Sequence, residues 1–97
     1  MKTKTITAYF NYFNITLPLE AVQACSHQGS CDADVKEWAR KINLDIPPDK
    51  IRAELKEYGA WDSEELQDDT ANKERIIWLA AGNIMDEIRE ARRNPNN

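Results

Sequence analysis

The first part of the chain, residues 5–17 (TITAYFNYFNITL), is a run of apolar and aromatic residues that ends at Pro18. Its isoleucine, threonine, tyrosine and phenylalanine residues favour extended structure. In one continuous strand, alternation would place apolar side chains on both faces, and the backbone N–H and C=O groups would lack partners. The segment is therefore expected either to fold back as a hairpin around Asn11 or Asn14, or to pair with another chain.

After Pro18 the apolar positions recur at helical spacing, which indicates a change from extended to helical structure. Proline suits the first position of a helix because no backbone N–H is needed there. Leu19 and Val22 follow at three-residue spacing, with Cys25 as the next position. Gly29 then interrupts the pattern, so the sequence predicts a short helix that begins at Pro18.

The next segment predicts a helix with one buried face, because its apolar residues fall at positions i, i+3, i+4 and i+7. These residues are Val35, Trp38, Ala39 and Ile42. Ser30 or Asp32 is expected to cap the N-terminus of this helix, and Asn43 is expected to end it. The sequence Ile46-Pro47-Pro48 then imposes an extended break.

A third helix is predicted to start at Pro48 and to stop at Gly59. Its buried face would consist of Ile51, Leu55 and Tyr58. The sequence Asp62-Ser63-Glu64-Glu65 follows, and it has the spacing of a capping box. In a capping box the cap residue and an acid three positions later each accept a hydrogen bond from the other's backbone N–H.

The last predicted helix extends to Arg93, and its apolar residues recur at helical spacing. Its core stripe consists of Ile77, Ala81, Ile84 and Ile88, widened by Ile76, Trp78 and Ala80. The sequence leaves open whether this helix is continuous from Ser63 or is interrupted near Asp69 and Thr70. Arginine residues occupy its final turns, where cations favour the negative end of the helix dipole.

Together these elements predict a mainly α fold, with α+β as the alternative, in which three or four helices with short loops follow an N-terminal strand or hairpin. One domain is expected over residues 1–97, with an extended segment at 1–17, a helical body at 18–93 and a frayed tail at 94–97. The hydrophobic content of 41% is sufficient for one core. No stretch of about 18 apolar residues occurs, so no transmembrane helix is expected. Asparagines interrupt the apolar N-terminal run, unlike a signal peptide, so the expected location is cytoplasmic.

The negative charge of the chain is concentrated between residues 62 and 69. This segment contains five carboxylates and no base, whereas the whole chain has a net charge of −4. One interpretation is a solvated helix end, since acids favour helix N-termini. The other is a surface that binds a basic region of a host or effector protein. The candidate partner-binding residues are Asp62, Glu64, Glu65, Asp68, Asp69 and, as an anchor or alternatively as a core contact, Trp61.

A second candidate site is the segment CSHQGSC, which contains both cysteines and the only histidine of the chain. Thiolates and imidazole bind zinc, but a structural site needs four ligands, so a nearby aspartate would have to complete it. A disulfide and a catalytic thiol are the other chemical interpretations. The simplest interpretation is a corner between two helices in which the cysteines are buried. No catalytic residue and no cofactor is therefore predicted, and the alternative metal site consists of Cys25, His27, Cys31 and Asp32.

Two stretches of the sequence, ACSHQGSCDADV and LKEYGAWDSEELQDDTANKERIIWLAAGNI, resemble a family of small uncharacterised proteins encoded by phages, prophages and other mobile elements. The resemblance covers roughly residues 17–88. Its most specific part is EYGAWD, followed by EL and by AN..RI.WLAAG.I. The resemblance implies a context in which small acidic proteins, such as anti-CRISPR proteins, bind host proteins. It implies no catalytic residue.

The sequence thus predicts a non-enzymatic protein-binding module. It would be a phage-type inhibitor of a host defence complex, such as a CRISPR effector, or of a nucleic-acid-processing complex, and would act through its acidic surface. Direct binding of nucleic acid is not expected, because the net charge is negative and Glu90 lies within the one basic group, Arg89, Arg92 and Arg93. The alternatives are a small metal-binding module and a structural homodimer paired through the N-terminal strand.

Overall fold

A computed structural model describes residues 4–26 and 33–93. The elements follow one another as two strands, three helices, a short 3₁₀ turn and a long last helix. Their bounds are β1 Thr5–Tyr9, β2 Asn14–Pro18, α1 Leu19–Cys25, α2 Ala33–Lys41, α3 Pro48–Tyr58, the 3₁₀ turn Glu65–Gln67, and α4 Asp69–Arg93. The fold is mainly helical with an N-terminal β-hairpin, which confirms the fold class that the sequence predicts.

The two strands form an antiparallel hairpin in which Thr5 lies opposite Pro18 and Tyr9 lies opposite Asn14. The loop is residues 10–13, so the reversal occurs around Asn11, and Asn14 already belongs to β2. Because the chain reverses, the apolar residues that alternation would divide between two faces of one strand come together on one face. On that face Ala8 pairs with Ile15, and both are buried. Leu17 pairs with Ile6, and Leu17 is buried as well. On the other face the hydroxyl groups of Thr7 and Thr16 form a hydrogen bond of 2.8 Å.

Helix α1 begins one residue later than the sequence predicts, at Leu19. Pro18 has φ −63° and ψ 146°, which is extended, and it is the last residue of β2. The backbone N–H of Leu19 donates to the carbonyl oxygen of Lys4 at 2.9 Å, which continues the hairpin ladder by one bond. The strand pairing therefore extends through the proline, and the helix starts only where this pairing ends.

Helix α3 has the predicted bounds, and the residue that stops it is Gly59. This glycine has φ 71°, a left-handed conformation that favours glycine, and its N–H donates to the carbonyl oxygen of Lys56 at 3.1 Å. Ile51 and Leu55 are buried as predicted, but Tyr58 is 44% exposed. The interpretation of Tyr58 as a core residue was wrong, because the end of α3 is open to solvent and residues 56–60 are all exposed.

The sequence left open whether the last helix is continuous from Ser63 or is interrupted near Asp69. The structure shows an interruption, because a separate 3₁₀ turn precedes the long helix. The 3₁₀ turn ends at Gln67, Asp68 follows with an extended ψ of 99°, and α4 begins at the next residue. Helix α4 then packs against α1, α2, α3 and both strands. Its buried apolar residues are Ile76, Ile77, Ala80, Ala81 and Ile84, whereas Ile88 and Trp78 are half-buried. The apolar stripe of α4 is wide because the helix is covered from several sides.

None of the helices within the described ranges has an apolar stretch as long as a membrane crossing requires. Every buried side-chain nitrogen and oxygen atom in these ranges has a hydrogen-bond partner. The two buried polar residues, Glu54 and Asn72, are therefore satisfied within the fold. Both of them hold loops in place, Glu54 at the hairpin and Asn72 at the segment before α4.

Candidate functional site

The five acids that the sequence singles out lie in the connection between α3 and α4 and at the first residue of α4. All five are exposed, so their carboxylates form an acidic surface on the outside of the fold. We use this name for Asp62, Glu64, Glu65, Asp68 and Asp69. Three of them also have a structural role that fixes their position.

Asp62 and Glu65 form the capping box that their spacing predicts. The N–H of Glu65 donates to Oδ1 of Asp62 at 2.8 Å, and the N–H of Asp62 donates to Oε1 of Glu65 at 3.0 Å. The box lies at the start of the 3₁₀ turn rather than at the start of α4. Its two carboxylates are thus held in defined positions at the surface.

Asp68 is the N-terminal cap of α4. Its Oδ1 accepts a hydrogen bond of 3.1 Å from the N–H of Ala71, and its carbonyl oxygen accepts one of 2.9 Å from the N–H of Asn72. Asp69 lies 3.3 Å from Nε of Arg52. Within the described residues, Arg52 is the one basic side chain that forms an ion pair with any of the five carboxylates. Most of the negative charge therefore faces solvent without a paired cation.

Trp61, which the sequence left open as an anchor or a core contact, is half-buried and packs against the core. The guanidinium group of Arg75 lies 5.3 Å from the centroid of a Trp61 ring. Arg75 also donates to the carbonyl oxygen of Glu65 at 3.0 Å and to Oδ1 of Asn72 at 2.9 Å. Asn72 is 1% exposed and donates to the carbonyl oxygen of Leu66 at 2.8 Å. These contacts fasten the acidic surface to α4.

Sequence reasoning missed Asn72 and Arg75, although they occur at i and i+3 in ANKER, at the start of the last helix. Helical spacing places such residues on one face. A pair of polar residues next to an apolar stripe only weakly indicates a buried contact, because most such pairs are solvated. The contacts depend on the return of the connecting segment across α4, and spacing alone does not show that return.

An apolar groove lies beside the acidic surface, with a volume of about 190 Å³. Four apolar residues from the connection between α2 and α3 and from α3 itself line one part, namely Leu44, Ile46, Pro48 and Ile51. Polar residues from the first turns of α4 line the other part, namely Asp69, Asn72 and Lys73. Asp69 therefore belongs both to the acidic surface and to the wall of the groove. The sequence indicated only a break at Ile46-Pro47-Pro48, because a groove requires the tertiary arrangement of three segments.

The alternative metal site lies largely outside the described residues. Cys25, at the end of α1, is buried, and its Sγ lies 3.9 Å from the carbonyl oxygen of Asp34. His27, Cys31 and Asp32 fall outside the described ranges. In the part of the chain that the structure describes, no three His, Cys, Asp or Glu residues are placed to hold a metal ion. The metal site and the helix corner around Gly29 both stay predictions.

The alternative of a homodimer was based on an unpaired N-terminal strand. All five residues of β1 are paired with β2 in the same chain. The hairpin thus satisfies the strand pairing for which a second chain was invoked. Association of two copies through the outer edge of the hairpin stays a prediction.

Comparisons with known proteins do not add a family to these observations. No protein-family model matches the chain, and neither a curated protein nor a solved structure matches it. The resemblance to small phage-encoded proteins consequently stays a prediction. The grounds for a function are therefore the acidic surface and the groove beside it.

Proposed function

We propose that this chain is a non-enzymatic protein-binding module, and that it presents the acidic surface and the adjoining groove to a basic region of another protein. The observation that carries the proposal is the position of Asp69. This residue is one of the five exposed carboxylates and also lines the apolar groove of about 190 Å³. Protein interfaces commonly combine an apolar centre with a polar rim, and this surface has both parts.

Charge and shape would contribute differently to such an interface. The carboxylates would attract a basic partner and raise the rate of association. The groove would accept an apolar side chain of the partner, which supplies affinity that does not depend on salt. Trp61 would contribute through the part of its ring that Arg75 and the core leave accessible.

The partner class in this proposal is a nucleic-acid-binding protein of a host defence or nucleic-acid-processing complex, in the cytoplasm. A protein groove that binds nucleic acid is rich in lysine and arginine. Its affinity for nucleic acid falls when other charged groups compete for its phosphate contacts. A compact row of carboxylates offers the same sign of charge as phosphates do. The resemblance of the EYGAWD region to phage-encoded proteins supports the choice of an inhibitor over other binding modules.

The test uses amide substitutions rather than charge reversal, because three of the acids also cap local structure. Asparagine and glutamine remove the charge but keep a side-chain oxygen that accepts a hydrogen bond. The site variant is D62N/E64Q/E65Q/D68N/D69N. The control variant, E20Q/E37Q/D86N/E87Q/E90Q, removes the same number of negative charges from exposed positions elsewhere.

Wild type and both variants are immobilised, proteins are captured from a host lysate, and each captured protein is purified and its affinity is measured at two salt concentrations. We expect a partner that binds wild type and the control equally. The site variant should bind it at least about tenfold more weakly, and added salt should weaken wild-type binding. A partner that binds the site variant as tightly as wild type would contradict the proposal, and so would the absence of any partner specific to wild type.

A further inference from the structure

A second cleft lies at the other end of α4, away from the acidic surface. Its volume is about 280 Å³, and it is bordered by β1, by α1 and by the last turns of α4. Four half-buried apolar residues form its floor, namely Ile6, Leu19, Met85 and Ile88. Its polar residues are Lys4, Gln23 and Arg92, all three of them exposed.

The cleft arises from the way that three elements meet. Leu19 and Gln23 are one helical turn apart on α1, while Met85, Ile88 and Arg92 follow one another along one face of α4. Ile6 completes the floor from β1, opposite the buried Leu17. The apolar side chains at this seam are thus covered only in part, whereas their neighbours Leu17 and Ile84 are fully buried.

The described charged residues that line this cleft have one sign. They are Lys4 and Arg92, and both are cations. Neither of them forms an ion pair with another described residue. Arg89, which lies on α4 as Arg92 does, by contrast pairs with Asp86. An apolar floor with two cations at its rim is complementary to an anion that carries a hydrocarbon chain.

We propose that this cleft binds an aliphatic carboxylate. The hydrocarbon chain would lie on Ile6, Leu19, Met85 and Ile88, where it removes apolar surface from water. The carboxylate would accept charge-assisted hydrogen bonds from Lys4 and Arg92, which are stronger than bonds between neutral groups. The cleft is slightly smaller than the range of about 300–1,000 Å³ that is typical of drug-sized ligands, so a single short acyl chain fits it better than a larger molecule. This proposal does not depend on the acidic surface.

The experiment compares three probes by NMR titration of the full chain labelled with ¹⁵N and with ¹³C-methyl methionine. Octanoate has both the chain and the charge, octanol has the chain alone, and acetate has the charge alone. We expect saturable shifts with octanoate at the methyl group of Met85 and at the amides of Ile6, Leu19 and Ile88. Octanol and acetate should each bind at least about tenfold more weakly.

Two double variants test the role of the cations. K4Q/R92Q should weaken octanoate binding about tenfold, whereas K36Q/K56Q, which removes two exposed lysines elsewhere, should leave it unchanged. All four positions are exposed, and the amide spectra of the free variants check that the fold is kept. Equal affinity for octanoate and octanol, unchanged affinity in K4Q/R92Q, or shifts confined to residues outside the cleft would each overturn the proposal. Binding of an acidic peptide at the same residues without binding of octanoate would overturn it as well.

Discussion

The carboxylate of Glu54 in α3 accepts a hydrogen bond of 2.8 Å from the backbone N–H of Asn11, at the tip of the hairpin. The same oxygen accepts a second bond of 3.2 Å from the N–H of Tyr12. Glu54 is only 2% exposed, although it carries an ionisable group. A loop at the tip of a hairpin leaves N–H groups that the strand ladder does not satisfy. One buried side chain of α3 therefore supplies the acceptor for two of them and fixes the hairpin to the helical body.

Replacing Glu54 by alanine is expected to lower the free energy of unfolding by about 2 kcal/mol, because it leaves these N–H groups without their acceptor. Glu54→Gln keeps one acceptor oxygen and should have a smaller effect. Urea unfolding followed by circular dichroism measures both. Glu57→Gln is the matched control, since Glu57 is exposed and accepts a hydrogen bond of 3.1 Å from the side-chain amide of Asn11 rather than from the backbone. An alanine variant as stable as wild type would mean that the carboxylate does not hold the hairpin.

The sequence predicts the local elements well but not this contact. Ile51 and Leu55 recur at helical spacing, and both are buried as expected. Glu54 lies among charged residues in RAELKEY and there resembles a solvated position. Its partner is 43 residues away in the sequence. Periodicity reports which face of a helix is apolar, but it carries no information about a polar group that a distant loop requires.

The same distinction applies to the candidate site. The capping box of Asp62 and Glu65 follows from spacing alone, because both partners lie within one turn. The contacts of Arg75 with Trp61 and with the carbonyl oxygen of Glu65 depend on how the connecting segment crosses α4. The groove likewise requires Ile46 and Asn72 to meet across two elements. The sequence identified the charges correctly as a cluster, but the features that shape the surface around them are tertiary.

Asp68 is expected to stabilise α4 as its N-terminal cap. Asp68→Ala should lower the free energy of unfolding by about 1 kcal/mol, since the N–H of Ala71 loses its acceptor. Asp68→Asn should cost little, because asparagine caps helices about as well as aspartate. Thermal or urea unfolding distinguishes the two variants.

Glu64→Gln is the control for this cap, because Glu64 is an exposed acid of the same segment, one residue before the 3₁₀ turn. It should change the stability by less than about 0.5 kcal/mol. If Asp68→Asn destabilises the protein as much as Asp68→Ala does, the negative charge rather than the hydrogen bond is responsible. That result would also mean that amide substitutions disturb the acidic surface.

The contact between Trp61 and Arg75 is expected to be energetically coupled. In a double-mutant cycle of Trp61→Leu and Arg75→Gln, the coupling free energy should be about 0.5–1 kcal/mol, as for other cation–π pairs at partly exposed sites. Arg75→Gln alone should cost more than this coupling, because Arg75 also donates to Glu65 and Asn72. Urea unfolding of wild type and the three variants gives the four values. A coupling of zero would show that the ring and the guanidinium group are neighbours without a stabilising interaction.

The two described glycines of the helical region should respond in opposite directions to alanine. An added Cβ would meet no atom within 4 Å at either Gly59 or Gly82, so steric contact does not distinguish them. Gly59 has φ 71°, which strains any residue with a Cβ, so Gly59→Ala should lower the free energy of unfolding by about 1 kcal/mol. Gly82 lies inside α4, where alanine is favoured over glycine, so Gly82→Ala should raise it by up to about 1 kcal/mol. Each single variant is the control for the other in the same urea titration. Stabilisation by Gly59→Ala would contradict the left-handed end of α3, and destabilisation by Gly82→Ala would mean that α4 is packed more closely at this position than the structure indicates.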